Sequence, residues 1–181
     1  AYVDQNITVT ITGTNDVPVV TNNVSDTTDT AIEAGHNDDG STVDGTSIVS
    51  GTLSSSDVDA SATYTWSIDG NPSTTYGSIN IEATTGAWTY TLDNNLSATQ
   101  ELEEGQSVTE SFIARVTDDN DAYVDQNITV TITGTNDVPV VTNNVSDTTD
   151  TAIEAGHNDD GSTVDGTSIV SGTLSSSDVD A

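Results

Sequence analysis

A chain of 181 residues carries 30 acidic side chains against one basic side chain, Arg115, and no cysteine, for a formal net charge of −29. That charge excludes neutralising a phosphate backbone or an anionic lipid surface and leaves cations as the attractive partners, while the missing thiols exclude disulfides and thiolate metal sites. About a fifth of the residues are Leu, Ile, Val or Phe, at the edge of the roughly 20% below which a highly charged chain stays unfolded, so folding needs favourable patterning or something that neutralises the carboxylates.

Period-two alternation dominates the chain, as half-buried strands require, because successive side chains point to opposite faces. Short strands are predicted at 17–21, 30–33 and 46–53. Tyr64, Trp66 and Ile68 then alternate with Thr65 and Ser67, and Ile79 and Ile81 flank Asn80. Trp88, Tyr90 and Leu92 alternate with Thr89 and Thr91. The stretch Asn94–Gly105, with Leu96 and Leu102, is expected to hold one helical turn. Phe112, Ala114 and Val116 share a face and leave Ile113 and Arg115 on the other, and Ile128, Val130 and Ile132 alternate with Thr129, Thr131 and Thr133. Seven or eight short strands separated by Gly-containing turns predict an all-β, two-sheet Greek-key β-sandwich.

Residues 1–60 recur unchanged as 122–181. A repeat this long duplicates a whole domain, not a single supersecondary unit. The run Asn6–Pro18 and its copy Asn127–Pro139 end in Asn-Asp-Val-Pro, a strand that stops at a turn cluster and enters a linker. The predicted organisation is therefore residues 1–16 as the last strand of a preceding repeat, 17–137 as one complete repeat, and 138–181 as the N-terminal part of an incomplete following repeat. The segment 61–121 occurs once, so one complete fold can be built. Its last strand can come from 122–137 or from 1–16 of another chain, which leaves strand exchange between chains open.

Calcium takes six to eight oxygens from carboxylates, carbonyls and water. Asp57 and Asp59, two residues apart on extended backbone, face one way, and they repeat as Asp178 and Asp180. Asn15-Asp16 and Asn136-Asp137 sit just before Pro18 and Pro139. Asp118 and Asp121 bound a dense acidic cluster between two strands, and Glu33 and its copy Glu154 follow short apolar turns. All of these are candidate Ca²⁺ ligands. The EF-hand is not matched, since Asn37–Gly40 lacks its ligand spacing and terminal Glu, and no glycine-rich nonapeptide is present.

Residues 107–140, with the Gly51-Thr-Leu53…Asp57-Val-Asp59 run and the Tyr76-Gly…Thr85-Gly-Ala-Trp-Thr-Tyr-Thr-Leu92 run, resemble the VCBS and bacterial cadherin-like, Ig-like repeats of RTX adhesins. The resemblance covers essentially the whole repeat. It implies long arrays of neighbouring repeats that hold an adhesive tip away from a bacterial cell, calcium at module junctions, type I secretion and an extracellular, cell-surface location. It further implies that Glu33 and Asp118 face Asn136, Asp137, Asp178 and Asp180 across the 134–140 linker. The linker here, Thr-Asn-Asp-Val-Pro, is shorter than the cadherin pattern.

The function expected on these grounds is a non-catalytic structural extender, with a module that itself binds a glycan, protein or ice surface as the alternative. Catalysis finds no support in the sequence, which has no Cys or Lys and no visible partner spacing around His36 or His157. No nucleic acid or direct membrane partner is expected.

Overall fold

The computed structural model describes residues 1–37, 39–70, 72, 74–144 and 148–180. Asp38, in the loop weighed against the EF-hand, lies outside the described residues. The chain is nearly all β. Its first part holds β1 (Val19–Val20), a 3-10 turn (Val24–Asp26), β2 (Thr28–Ile32), β3 (Gly35–His36), β4 (Thr42–Val43), β5 (Ile48–Thr52) and β6 (Ser55–Ser56). The middle holds β7 (Tyr64–Ile68), β8 (Gly77–Ile81), β9 (Ala87–Leu92), the single helical turn α1 (Ser97–Gln100), β10 (Ser107–Asp118) and β11 (Tyr123–Thr133). Among the described residues the last part holds the two-residue strands β12 (Val140–Val141), β13 (Gly156–His157), β14 (Thr163–Val164) and β15 (Ser176–Ser177).

Two sheets supply the core. One has the order β2-β11-β10-β7, the other β5-β9-β8. β10 and β11 form a long antiparallel hairpin, with Ser107 opposite Thr133 at one end and Thr117 opposite Tyr123 at the other. β2 runs parallel to β11, so the first long strand lies beside the last. The alternation read from sequence sets the register: Phe112, Ala114, Val116, Ile128, Val130 and Ile132 from one sheet and Val49, Trp88, Tyr90 and Leu92 from the other are buried in one cluster. Burying each of the Val, Leu, Ile and Phe side chains stabilises by about 1.5–3 kcal/mol.

One polar device is built into this core and a second braces its outer face. The Tyr90 hydroxyl donates to Glu110 Oε2 at 2.5 Å, and Glu110 Oε1 accepts from the backbone N–H groups of Thr75 and Tyr76. Burial and the neighbouring carboxylate push the Tyr90 phenol well above its ordinary range. On the outer face Arg115 makes a bidentate pair with Asp125, at 2.7 and 2.9 Å, and reaches Asp69 at 3.1 Å. Its guanidinium lies 4.0 Å from the centroid of the Tyr123 ring. Asp125 stands opposite Arg115 across the hairpin, so the pair fixes the register of the two strands.

The two copies of the repeated segment differ in structure. Ile128, Val130 and Ile132 are 0% exposed in β11, whereas the corresponding Ile7, Val9 and Ile11 are 87%, 76% and 90% exposed. No strand forms among residues 1–18. The strand expected within residues 1–16 does not form here because a strand is made by its neighbours: β2 and β10 of this chain are already paired with the second copy. For the same reason the segment after Pro139 keeps only short pairings, and Ile169 and Leu174 remain exposed.

Candidate functional site

The candidate ligands fall into two groups at opposite ends of the β10–β11 hairpin. At about 3.3 Å per residue the twelve residues of β10 separate those ends by roughly 35–40 Å.

The first pole gathers Asn15, Asp16, Asp57, Asp59 and Asp118. Asp57 and Asp59 follow β6, and Asp57 Oδ1 accepts from the Asp59 N–H at 2.9 Å. Asp59 Oδ2 accepts from the Asp16 N–H at 2.7 Å. Asp118 caps the hairpin turn: its Oδ1 accepts from the N–H groups of Asn120 and Ala122, and its Oδ2 from Asn15 Nδ2 at 2.9 Å. The Asn15 bond, followed by the two backbone N–H groups, holds the Asp118 carboxyl below its usual range despite burial. Asn120 also donates to Asn15 Oδ1 at 2.8 Å, a contact with no signal in the sequence. Asp121 is exposed and takes a left-handed φ of 66°, a conformation that Asp tolerates in a tight turn. A cleft of about 310 Å³ opens here between the 13–15 linker, Asp59 and Asn120.

The second pole gathers Glu33, Asn136, Asp137, Asp178 and Asp180. Glu33, just after β2, is fully buried. Gln100 on α1 donates to its Oε1 at 2.9 Å and the Thr135 N–H to its Oε2 at 3.2 Å. Asp180 Oδ2 accepts from the Asp137 N–H at 2.8 Å, and Asp178 Oδ1 accepts from the Asp180 N–H at 3.3 Å. These are the first pole's two contacts repeated one period later. The His36 N–H donates to the Asn136 carbonyl at 2.7 Å and ties the linker to the module. Gly35 is required at this seam, since a Cβ there would lie 2.7 Å from the Asn136 carbonyl and overlap Thr135. Gly35→Ala is therefore expected to separate the linker from the module. Measured by hydrogen exchange, the His36 amide should lose protection while β9 and β10 keep theirs.

Electrostatic crowding is strongest at this second pole. Burial first, then repulsion from Asp137 and Asp180, pushes the Glu33 carboxyl up from 4.5 to about 7, against the opposing hydrogen bonds from Thr135 and Gln100. Burial also raises Asp137, reinforced by Asp180 and Asp178 and opposed by His36.

Two expectations change with these positions. Asp118 does not face Asn136, Asp137, Asp178 and Asp180; it sits at the other pole against Asn15, because the full length of the hairpin separates it from the 134–140 linker. Glu154 is exposed, unlike its copy Glu33, since the segment that follows Pro139 does not close around it. Gln100 and Thr135 join the second pole without having been marked by any motif.

The donor chemistry fits calcium: hard oxygens throughout, with buried carboxylate oxygens that no hydrogen-bond donor reaches on Asp57 (Oδ2), Asp137 (Oδ2) and Asp180 (Oδ1). Among the described residues no group of three or more acidic or histidine side chains is placed so as to hold a metal ion. No helix among them is long and apolar enough to cross a membrane.

No family model and no curated protein matches the chain. Among solved structures it is similar to a nucleoside hydrolase-related hypothetical protein from Saccharophagus degradans, described as associated with carbohydrate metabolism, at 22% identity and a TM-score of 0.33. The match covers 66% of this chain and 26% of that one, so the chain spans about a quarter of that protein's length. The expectation that the chain is not an enzyme is corrected on this match: the neighbour's description is hydrolase-related, and the exclusion of catalysis is withdrawn. At this TM-score the likeness itself transfers no activity, substrate or site to the chain.

Proposed function

We propose that this chain belongs to a run of Ig-like modules that act as a structural extender of a secreted bacterial surface adhesin, with calcium stiffening the places where modules meet. The strand order supports the module type. With β2 taken as the first strand, β5-β9-β8 and β7-β10-β11 have the two-sheet grouping of an Ig-type Greek key, and the first strand lies beside the last. The unchanged sixty-residue repeat supports an array, because identical beads suit a spacer better than modules with private ligands.

The observation that carries the calcium reading is the second pole. Segments more than a hundred residues apart in sequence bring Glu33, Asp137 and Asp180 together, at the cost of a raised Glu33 pKa and with carboxylate oxygens buried and unpartnered. The chain's one arginine is engaged elsewhere, with Asp69 and Asp125, and only His36 acts against the crowding at Asp137. Calcium would be held by Glu33, Asn136, Asp137, Asp178 and Asp180 there, and by Asn15, Asp16, Asp57, Asp59 and Asp118 at the first pole. It would supply the positive charge that lets these carboxylates stay ionised side by side and would fix the linker against both modules.

A ligand that binds only the folded state stabilises it by about 2.7 kcal/mol at a hundredfold excess over its Kd. Extracellular calcium sites have a Kd of about 10⁻⁴–10⁻³ M, so millimolar calcium is the working range. Calorimetric melting with metal counting tests this. Calcium at 10 mM should raise the Tm by several degrees over the chelated chain, and Asp137→Asn with Asp180→Asn should abolish most of the rise. An unchanged Tm, with no metal retained, sinks the calcium reading. Small-angle scattering of several linked repeats should show shorter, more flexible particles in chelator, and identical profiles would remove the stiffening role.

A further inference from the structure

The outer face of the four-stranded sheet differs in charge from the rest of the surface. Phe112, Ala114, Val116, Ile128 and Val130 point inward, so the odd-numbered residues of β10 and β11 point outward. Across the hairpin Ile113 stands opposite Asn127, Arg115 opposite Asp125 and Thr117 opposite Tyr123. On the next strand β7 sets Thr65 beside Thr117, and towards β2 the rows continue in Ser and Thr alone, as in Ser111, Thr129 and Thr28. In a chain of net charge −29, the ionised side chains of this face are Arg115, Asp125 and Asp69, and they are bonded to one another. Such a face suits a neutral, hydrogen-bonding partner better than a cation or a polyanion.

A fixed aromatic ring lies at one end of it. The Arg115 guanidinium sits over the Tyr123 ring, 4.0 Å from its centroid, and is itself held by Asp125 through two bonds of 2.7 and 2.9 Å. Tyr123 nevertheless remains 53% exposed, so the ring is offered to solvent at one angle and docking on it needs little further ordering. The Asn127 carboxamide is exposed farther along the same strand. From this juxtaposition of ring, carboxamide and hydroxyls on a sheet face without uncompensated cations, we infer that the outer face of β7, β10 and β11 binds a neutral polysaccharide.

The chemistry favours a glycan over a protein. A protein interface centres on desolvated apolar anchors, whereas here Ile113 and Tyr123 are the large apolar side chains exposed among hydroxyls and amides. A sugar ring presents C–H groups that pack on the electron-rich face of an aromatic ring. Its hydroxyls both donate and accept, which matches Ser, Thr and Asn side chains. Tyr123 and Asn127 lie four residues apart on β11, about 13 Å. One sugar cannot touch both, so the ligand is a chain of several units laid along the hairpin. None of these side chains is among those proposed to hold calcium, and the inference stands apart from both the calcium and the extender readings.

Affinity electrophoresis of the whole chain tests this, in native gels cast with a soluble neutral glucan, mannan, xylan or galactan. At least one of the four should retard the protein. Tyr123→Ala should weaken that retardation by at least about tenfold in apparent Kd and Asn127→Ala by about fivefold, while Tyr123→Phe keeps the ring and most of the binding. Ile48→Ala, an exposed position on the outer face of the other sheet, should change nothing. Amide exchange in β9, unaltered in Tyr123→Ala, shows that the variant is folded, so that its loss of binding reports the lost ring. Three results overturn the inference: no retardation in any gel, equal retardation of the parent and Tyr123→Ala, or a loss in Ile48→Ala as large as in Tyr123→Ala. Light scattering that finds dimers dissolved by Tyr123→Ala overturns it as well, and gives the face to a second copy of the chain.

Discussion

Glu33→Gln should make the chelated protein more stable and the calcium-loaded protein less stable, a reversal of sign that a merely structural glutamate would not give. The folded Glu33 carboxyl is raised from 4.5 to about 7, by burial first and then by Asp137 and Asp180. A group whose pKa is higher in the folded state favours folding when protonated. Its contribution is fully present below about 4.5 and lost as the pH rises through about 7. At about 1.4 kcal/mol per pKa unit, the metal-free chain loses about 3 kcal/mol across that window. Asp137, raised in the same direction, adds to the trend. Gln removes the charge but turns an amide N–H₂ towards one of the two donors, Gln100 Nε2 or the Thr135 N–H, at a cost of about 1 kcal/mol. The net expectation at pH 8 in chelator is a gain of about 1–3 kcal/mol by urea unfolding. In millimolar calcium the variant should lose a ligand and fall below the parent. Equal shifts in both conditions would mean that Glu33 has no part in binding metal.

Trp88→Ala should come close to unfolding the module. Trp88 is fully buried in the central strand of the three-stranded sheet, between Gly51 on β5 and Ile81 on β8. The indole fills the space that Gly51 leaves: a Cβ on Gly51 would lie 2.6 Å from its Nε1. Nε1 also donates to the Asp26 carbonyl at 2.8 Å and so fastens the 3-10 turn to the core. Truncating a buried tryptophan costs about 3–5 kcal/mol, against a total of about 5–15 kcal/mol for a domain. The midpoint of a urea melt should fall by a third or more, and the turn at Val24–Asp26 should lose amide protection first. Ile48→Ala, on the same sheet but 62% exposed, should shift stability by less than about 0.5 kcal/mol. If the two variants melt alike, the core is not where these contacts put it.

Strand positions were legible because burial on one face imposes a period of two: the alternations at 64–68, 88–92, 112–116 and 128–133 each fell within a strand with its apolar side inward. The poles were only partly legible. Asp57-Val-Asp59 and Asn136-Asp137 could be picked out because closely spaced oxygens on extended or turn backbone are rare without a reason. Which of them meet depends on pairing, and pairing is a long-range property. Asp118 was assigned to the wrong pole although its place follows from the hairpin, since a residue at the turn cannot touch the linker that leaves the opposite ends of the two strands. Gln100 was invisible, because a lone glutamine on a helical turn gives no hint of a buried carboxylate sixty-seven residues upstream. The contrast between Glu33 and Glu154, or between Ile132 and Ile11, was equally beyond local reading: identical sequence takes whatever fate its neighbours allow.

The capture of Arg115 by Asp69, Asp125 and the Tyr123 ring has a consequence for how such chains behave in a crowd. With its one guanidinium engaged, the protein has no free arginine or lysine to offer another molecule. Two copies meet as like-charged bodies and repel over about one Debye length, roughly 8 Å at physiological salt. Close flank-to-flank packing of such chains is opposed unless added cations screen the contact.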